Sequence, residues 1–479
     1  MAQSNLYNIV LDCLDRHAGQ GSKTAFLSVS DALKVESFTF QRLAEQTHRF
    51  ANGLTDRGFK PGDSLIISLP NGPEFPTAFL GAVRAGVIPI PASPLLTPDE
   101  LDFLFKDSGA KEIVTRENFK RFVRGRTSEF SLKPTSVFDP AFWLYTSGTE
   151  GRPKAVMHAH SSIRAHDERV RLWQNLKSGD VVFNTSLLNW SYALTCGMLD
   201  VWRHGVATVV YSGELKPEKI LEVIGKCGVT VFMSVPGIYR RLTEYLDVGV
   251  NLQGVRVCLS AGEKLPEEVR RDFKKATGRE IYEGLGMTEH SVYLVQRYGE
   301  PVVPGSCGKP LPGSRVAILR EDLTECDPNE TGILASHRSC PGLMLGYFRE
   351  ELKGEWFLSG DLAYRDEAGN FFFVGRRDDV ITAGGYRISP MEVETVLNKH
   401  PEVSESAVVG REVEPGKTIV VAYVVLRGAV PVPEIIAFAS QHLAKYKVPR
   451  EIVFVDHLPK TNTGKIRRRE LSSPHRQPS

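Results

Sequence analysis

The sequence predicts an α/β protein in two parts. A large N-terminal domain, residues 1–377, holds two α/β halves plus a small β-rich subdomain, and a small mobile α+β C-terminal lid follows over residues 378–479. Three observations predict this. Strands and helices alternate in two separate stretches between Ser64 and Ser260, a pattern that builds parallel sheets. From Gly305 to Phe373 the chain turns rich in Gly, Pro and short alternating runs. The charged run Arg376-Arg377-Asp378-Asp379 then interrupts it before a compact unit opens at Ile381.

In order, Thr39 is placed to cap a helix whose Leu43, Phe50 and Leu54 recur at helical spacing, with Gly58 and Pro61 ending it. Ser64 to Leu69 reads as a strand, Phe75 to Ala85 as a helix and Val87 to Pro91 as the next strand. The second half repeats the design: strand Val206 to Tyr211, helix Pro217 to Lys226, and strands Val229 to Met233 and Val255 to Ser260. Ser314 to Leu319 is a short alternating run of the β-rich part. In the lid, Ser406 to Gly410, Thr418 to Leu426 and Glu451 to Val455 read as strands and Pro433 to Leu443 as a helix.

Composition excludes several classes. With 59 basic and 57 acidic residues the net charge is +2, so no overall field recruits nucleic acid or an anionic membrane. Seven scattered cysteines, Cys13, Cys196, Cys227, Cys258, Cys307, Cys326 and Cys340, show neither CxxC spacing nor an even count, which argues against a disulfide framework or a zinc site. Asp12 and Asp15 stand where a signal peptide needs apolar residues, and no run approaches ~20 uninterrupted apolar residues. These features point to a cytoplasmic protein without membrane insertion, whose partner is a small molecule.

The strongest single motif is Tyr145-Thr146-Ser147-Gly148-Thr149-Glu150-Gly151-Arg152-Pro153-Lys154. Glycines let backbone N–H groups converge on phosphoryl oxygens, hydroxyls add hydrogen bonds, and Lys154 adds positive charge. An ordinary surface turn is the competing reading, at even odds for the motif alone. The spacing is not GxxxxGK[ST], and GxGxxG, GxSxG and HExxH are absent, so Walker, dinucleotide, hydrolase and zincin chemistries are excluded.

Four further segments follow: Tyr282-Glu283-Gly284-Leu285-Gly286-Met287-Thr288-Glu289, Ser359-Gly360-Asp361, Gly375 to Ile381 with Gly384-Gly385-Tyr386-Arg387-Ile388, and Pro459-Lys460-Thr461-Asn462-Thr463-Gly464-Lys465-Ile466. Together with the turn they resemble, in order and across almost the whole chain, the adenylate-forming superfamily of acyl-CoA synthetases, peptide-synthetase adenylation domains and luciferases. The resemblance implies ATP-dependent activation of a carboxylic acid as acyl-AMP, with Mg²⁺, followed by transfer to coenzyme A. It also implies residue roles. Thr146, Ser147, Gly148, Thr149, Gly151 and Lys154, with Gly284 and Leu285, would bind ATP. Thr288 would touch the α-phosphate and Glu289 would hold the metal, Asp361 would accept the ribose hydroxyls, and Arg376 would face ribose and phosphate. Asp378 would be the hinge, Lys465 the lysine that enters for adenylation alone, and Gly384, Gly385 and Tyr386 the coenzyme A channel. Without the resemblance, Glu289 reads as a solvated acid, Asp361 as a turn former, Lys465 as surface charge, Gly384-Gly385 as a plain turn, and Arg377 with Asp379 as a solvated pair.

For the acid, Trp190 or Tyr192 would gate a pocket whose other walls are Ala261, Gly262 and Gly286. The segment around Tyr192 and the Glu-Gly-Leu-Gly-Met-Thr-Glu sequence are most similar to benzoate-type ligases, which favours an aryl or cyclic acid. Aromatics two residues apart are more often core, and a medium-chain fatty acid is the alternative substrate. A carrier protein as acceptor, a homodimer, and a nucleotide-binding protein that has lost catalysis stay open. His158 and His160 read as ordinary polar residues beside the turn. Glu150 replaces a hydroxyl residue and is expected to point away from phosphate.

Overall fold

The computed structural model describes residues 7–146, 153–246, 252, 254–383, 386–414, 417–460 and 466–472. It divides into two compact units, Met1–Val316 with Ser336–Phe357, and Ala317–Ala335 with Leu358–Ser479.

The first unit holds three sheets. A small parallel sheet places the strand Ser64–Ile67 between Ile88–Pro91 and Ile113–Val114. The proline-bearing strand lies at the edge, where the absence of an N–H is tolerated. Thr39 caps the helix Phe40–Asp56 as its sequence predicts, its side chain accepting from the Arg42 N–H. That helix packs closely on the helix Glu74–Arg84: a Cβ at Gly81 would lie 2.8 Å from that of Phe50, so only glycine permits the approach.

The second sheet has nine strands. Its parallel centre runs Ile281–Met287, Val257–Ala261, Val231–Ser234, Val181–Asn184, Ala207–Tyr211 and Thr24–Val29, with antiparallel edges. The sequence reading foresaw two separate halves. The early strands Thr24–Val29 and Val35–Thr39, which it did not assign, join the sheet of the second half. Trp173 and Trp202 are among the side chains fully buried against it.

The third sheet pairs Pro140–Thr146 with Lys154–Ala159, and the latter with Gly346–Tyr347, all antiparallel.

A four-stranded sheet of Val316–Leu319, Gly332–His337, Trp356–Arg365 and Phe371–Arg376, drawn largely from the second unit, is the β-rich stretch the sequence foresaw. The hairpin Ile381–Ala383 with Tyr386–Ile388 follows, then the helix Pro390–Leu397. The strands Val403–Glu414, Lys417–Leu426 and Glu451–Phe454 form a three-stranded sheet, with the helix Val432–His442 before the last strand. Val393, Leu397, Val408, Ala422, Val424 and Ile435 form its core. All seven cysteines are buried thiols outside any disulfide, and among the described residues no helix is long and apolar enough to cross a membrane.

Candidate active site

Thr288 and Glu289 occupy the tip of the antiparallel hairpin Ile281–Met287 and Ser291–Val295. Glycine is required beneath that tip, because a Cβ at Gly286 would run into the Ser291 carbonyl and one at Gly284 would lie 2.8 Å from the Trp173 ring. Leu285, between them, is half-buried. Ser291 closes the turn at φ +55°, a left-handed conformation rare for a side-chain-bearing residue. A buried arginine holds it there: Arg169 Nη1 donates to Ser291 Oγ at 2.7 Å and to the Val292 carbonyl at 3.2 Å. Arg169 also pairs with Asp200 at 2.5 Å, and His166 Nδ1 lies 2.9 Å from the other Asp200 oxygen. Burial would raise the Asp200 carboxyl, but Arg169 and His166 outweigh it and hold the group below its ordinary value.

The Glu289 carboxylate is half-buried and accepts from the Tyr347 hydroxyl at 2.9 Å. The Thr288 backbone partners the His158 ring. His158 and His160 are buried, which corrects their reading as ordinary polar residues; burial pushes them down to about 3 and about 4, so both are neutral at neutral pH. Lys154 pairs with Thr146 in the register of the hairpin. Its Nζ lies 3.0 Å from Glu350 and 5.3 Å from the centre of the Tyr347 ring. Glu283, in the strand leading to Thr288, is buried, and desolvation raises its carboxyl to about 8; its Oε1 accepts from the Leu265 N–H at 3.2 Å.

On the acid side, the Trp190 ring lies against Gly262. A Cβ there would fall 2.7 Å from the ring, and Gly262 sits at φ +94°, so glycine answers both a backbone and a packing demand. Tyr192 meets Trp190 edge to face with ring centres 6.1 Å apart. Tyr192 itself is buried in the core, its hydroxyl 3.5 Å from the Leu259 carbonyl. Ala261 is buried at the end of its strand and pairs with Gly284.

In the second unit Asp361 and Arg376 face each other across two antiparallel strands. Arg376 Nη1 donates to Asp361 Oδ1 at 2.7 Å and to the Ser359 carbonyl at 3.1 Å. Gly360, at φ +74°, leaves room for that guanidinium, since a Cβ would lie 3.3 Å from Arg376 Nη2. Arg377 and Asp379 do not pair with each other as the sequence suggested: Arg377 reaches Glu321 at 3.0 Å, and Arg468 reaches Asp379 at 3.4 Å. Asp378 lies in the short 3₁₀ turn Arg377–Asp379, and Tyr386 begins the strand Tyr386–Ile388. Ser147, Gly148, Thr149, Glu150, Gly151, Gly384, Gly385 and Lys465 lie outside the described residues.

Sequence reasoning missed Tyr347, Glu350, Arg169 and Asp200. Tyr347 lies 58 residues from Glu289 in the chain, and its one local mark is the glycine before it, so spacing could not have joined the two.

This fold, with paired strands that flank the hydroxyl- and glycine-rich motif, an acid at a hairpin tip and an Asp–Arg pair, is that of an AMP-forming acid–thiol ligase. The chain belongs to the AMP-binding enzyme family: residues 14–348 match the AMP-binding enzyme and residues 392–465 the AMP-binding enzyme C-terminal domain. It is 35% identical to the uncharacterized acyl-CoA ligase YtcI of Bacillus subtilis (strain 168), over 97% of this chain and 95% of that protein. It is 33% identical to the benzoate–CoA ligase of Thauera aromatica, over 98% and 96%. Among solved structures, a benzoate CoA ligase from Burkholderia xenovorans LB400 superposes with a TM-score of 0.86 at 30% identity, covering 98% of this chain and 100% of that one. The chain is an ATP-dependent, AMP-forming acid:CoA ligase that uses ATP, Mg²⁺ and coenzyme A.

Proposed function

We propose that this ligase activates a benzoate-like aryl or cyclic acid in the cytoplasm. The contact of Trp190 with Gly262 carries this reading: a flat aromatic wall beside the Ala261 strand end suits a planar acid, and benzoate–CoA ligases are among the similar proteins. The buried, unbridged cysteines support a reducing compartment.

The carboxylate oxygen attacks the α-phosphorus in line and pyrophosphate leaves, a step that draws two anions together and is therefore largely electrostatic. Lys154 and the hydroxyl- and glycine-rich motif before it would cradle the phosphates, with Thr288 at the α-phosphate. Asp361 would accept the ribose hydroxyls, oriented by Arg376. Among the described residues no cluster of three or more His, Cys, Asp or Glu could hold a metal alone. Glu289 as a single carboxylate fits Mg²⁺, which keeps water and phosphate oxygens for the rest of its shell. When bound, that ion neutralises charge on the phosphoryl oxygens. Lys465 would complete the adenylation site. Rotation about Asp378 would then bring Gly384, Gly385 and Tyr386 to the thiol's approach, dividing residues 1–377 from 378–479.

The test is pyrophosphate release with ATP and Mg²⁺ across benzoates, cyclic acids and C4 to C12 fatty acids, with and without coenzyme A. Turnover confined to aryl or cyclic acids supports the reading. Preference for straight chains overturns the acid class, and release without CoA-dependent turnover points to a carrier protein.

A further inference from the structure

We infer that Tyr347 is a positioning residue for adenylation, one side chain that orients the Glu289 carboxylate through its hydroxyl and seats Lys154 on its ring. The inference rests on Glu289 being the acid that holds the divalent cation.

The segment around Tyr347 is stitched to both partners by backbone. The Met344 N–H donates to the Glu289 carbonyl at 2.8 Å, so the hairpin tip is tied to this segment twice, once by backbone and once by the Tyr347 hydroxyl at 2.9 Å. On the other side the Leu345 N–H donates to the Met157 carbonyl and the Phe348 N–H to the Ala155 carbonyl, each at 2.8 Å, while Tyr347 pairs with Val156. Tyr347 therefore cannot shift without the strand that carries Lys154. The turn that follows, with Arg349 at φ +65°, folds Glu350 back so that its carboxylate lies 3.0 Å from Lys154 Nζ. Lys154 is thus held between the Tyr347 ring face and Glu350.

The chemistry explains why a phenol suits this place. A neutral donor fixes one oxygen of a carboxylate and leaves its full charge for a cation, whereas lysine or arginine there would cancel that charge and compete with the metal. Groups that orient a metal-binding carboxylate are worth about 10–100-fold in metal affinity. Tyr347→Phe removes the hydroxyl and keeps the ring; Tyr347→Leu removes both.

The experiment measures Mn²⁺ binding by electron paramagnetic resonance in the presence of a non-hydrolysable ATP analogue, and nucleotide binding without metal. Tyr347→Phe is expected to bind Mn²⁺ about 10–100-fold more weakly with metal-free nucleotide binding unchanged, and Tyr347→Leu to lose metal-free nucleotide affinity as well. Conversion of supplied acyl-AMP to thioester, which needs no metal, should fall less than adenylation in Tyr347→Phe. Parent-level Mn²⁺ affinity in Tyr347→Phe overturns the inference, and so does an equal loss in both half-reactions, which would show a purely structural role. Glu289→Gln separates the two readings. If it leaves Mn²⁺ affinity intact, the role of Glu289 fails and this inference with it; if it weakens binding while Tyr347→Phe does not, the inference alone fails.

Discussion

Arg376 and Asp361 sit opposite each other on neighbouring antiparallel strands, joined by a 2.7 Å charge-assisted hydrogen bond that leaves the carboxylate buried and the guanidinium partly exposed. The arginine thus helps to orient that acid. Arg376→Ala should lower kcat/KM for adenylation by about 10²–10³-fold with little change in melting temperature, because its side chain is 40% exposed. ATP–pyrophosphate exchange and thermal unfolding check this.

The Arg169–Asp200 pair is the opposite case, fully buried and remote from solvent. Arg169→Met should destabilise the chain by about 3–5 kcal/mol, because Asp200 is left as a buried charge. Arg169→Met combined with Asp200→Leu should recover much of that. Denaturant unfolding of the three variants measures the coupling directly.

Glu283 supplies a pH dependence with a defined sign. Its native carboxyl is raised from 4.5 to about 8 by burial, so between those values the native state holds a proton that the unfolded chain has released. Its contribution is fully present below about pH 4.5 and is lost as pH rises through about 8. Glu283→Gln should remove this slope, so the melting temperature of the variant should gain on the parent between about pH 5 and 9.

Trp190→Ala should open the wall against Gly262 and shift selectivity toward longer or bulkier acids, with kcat/KM for the smallest aryl acid falling about tenfold or more. Gly262→Ala should lower activity on every acid, since it meets both the positive φ and the ring. Acid-panel kinetics with ATP saturating distinguish the two patterns.

Lys465→Ala should reduce acyl-AMP formation by about a hundredfold or more and spare conversion of supplied acyl-AMP to thioester. Equal loss in both half-reactions would remove the assigned role.

Much of the fold was legible where burial is one-sided. The helix Phe40–Asp56 announces itself through Leu43, Phe50 and Leu54 because its other face is wet. The turn Ala193–Leu199 does not, since every residue in it is buried and no period survives. The site divides in the same way. Thr288, Glu289, Asp361 and Arg376 could be nominated because each belongs to a short contiguous motif. Tyr347 and Arg169 could not, because their contacts span chain separations that only folding closes. Tyr192 shows a further limit: two aromatics at i and i+2 read alike in sequence, yet Trp190 is half-buried beside Gly262 and Tyr192 is in the core.

The enzyme handles a small thiol at every turnover, while its own cysteines are buried. Burial pushes Cys196 up to about 11 and Cys258 up to about 12, so neither forms the thiolate that would attack a coenzyme A disulfide. Cys196 and Cys258 should therefore resist mixed disulfides when the thiol pool becomes oxidised, and alkylation of these two should follow unfolding of the chain.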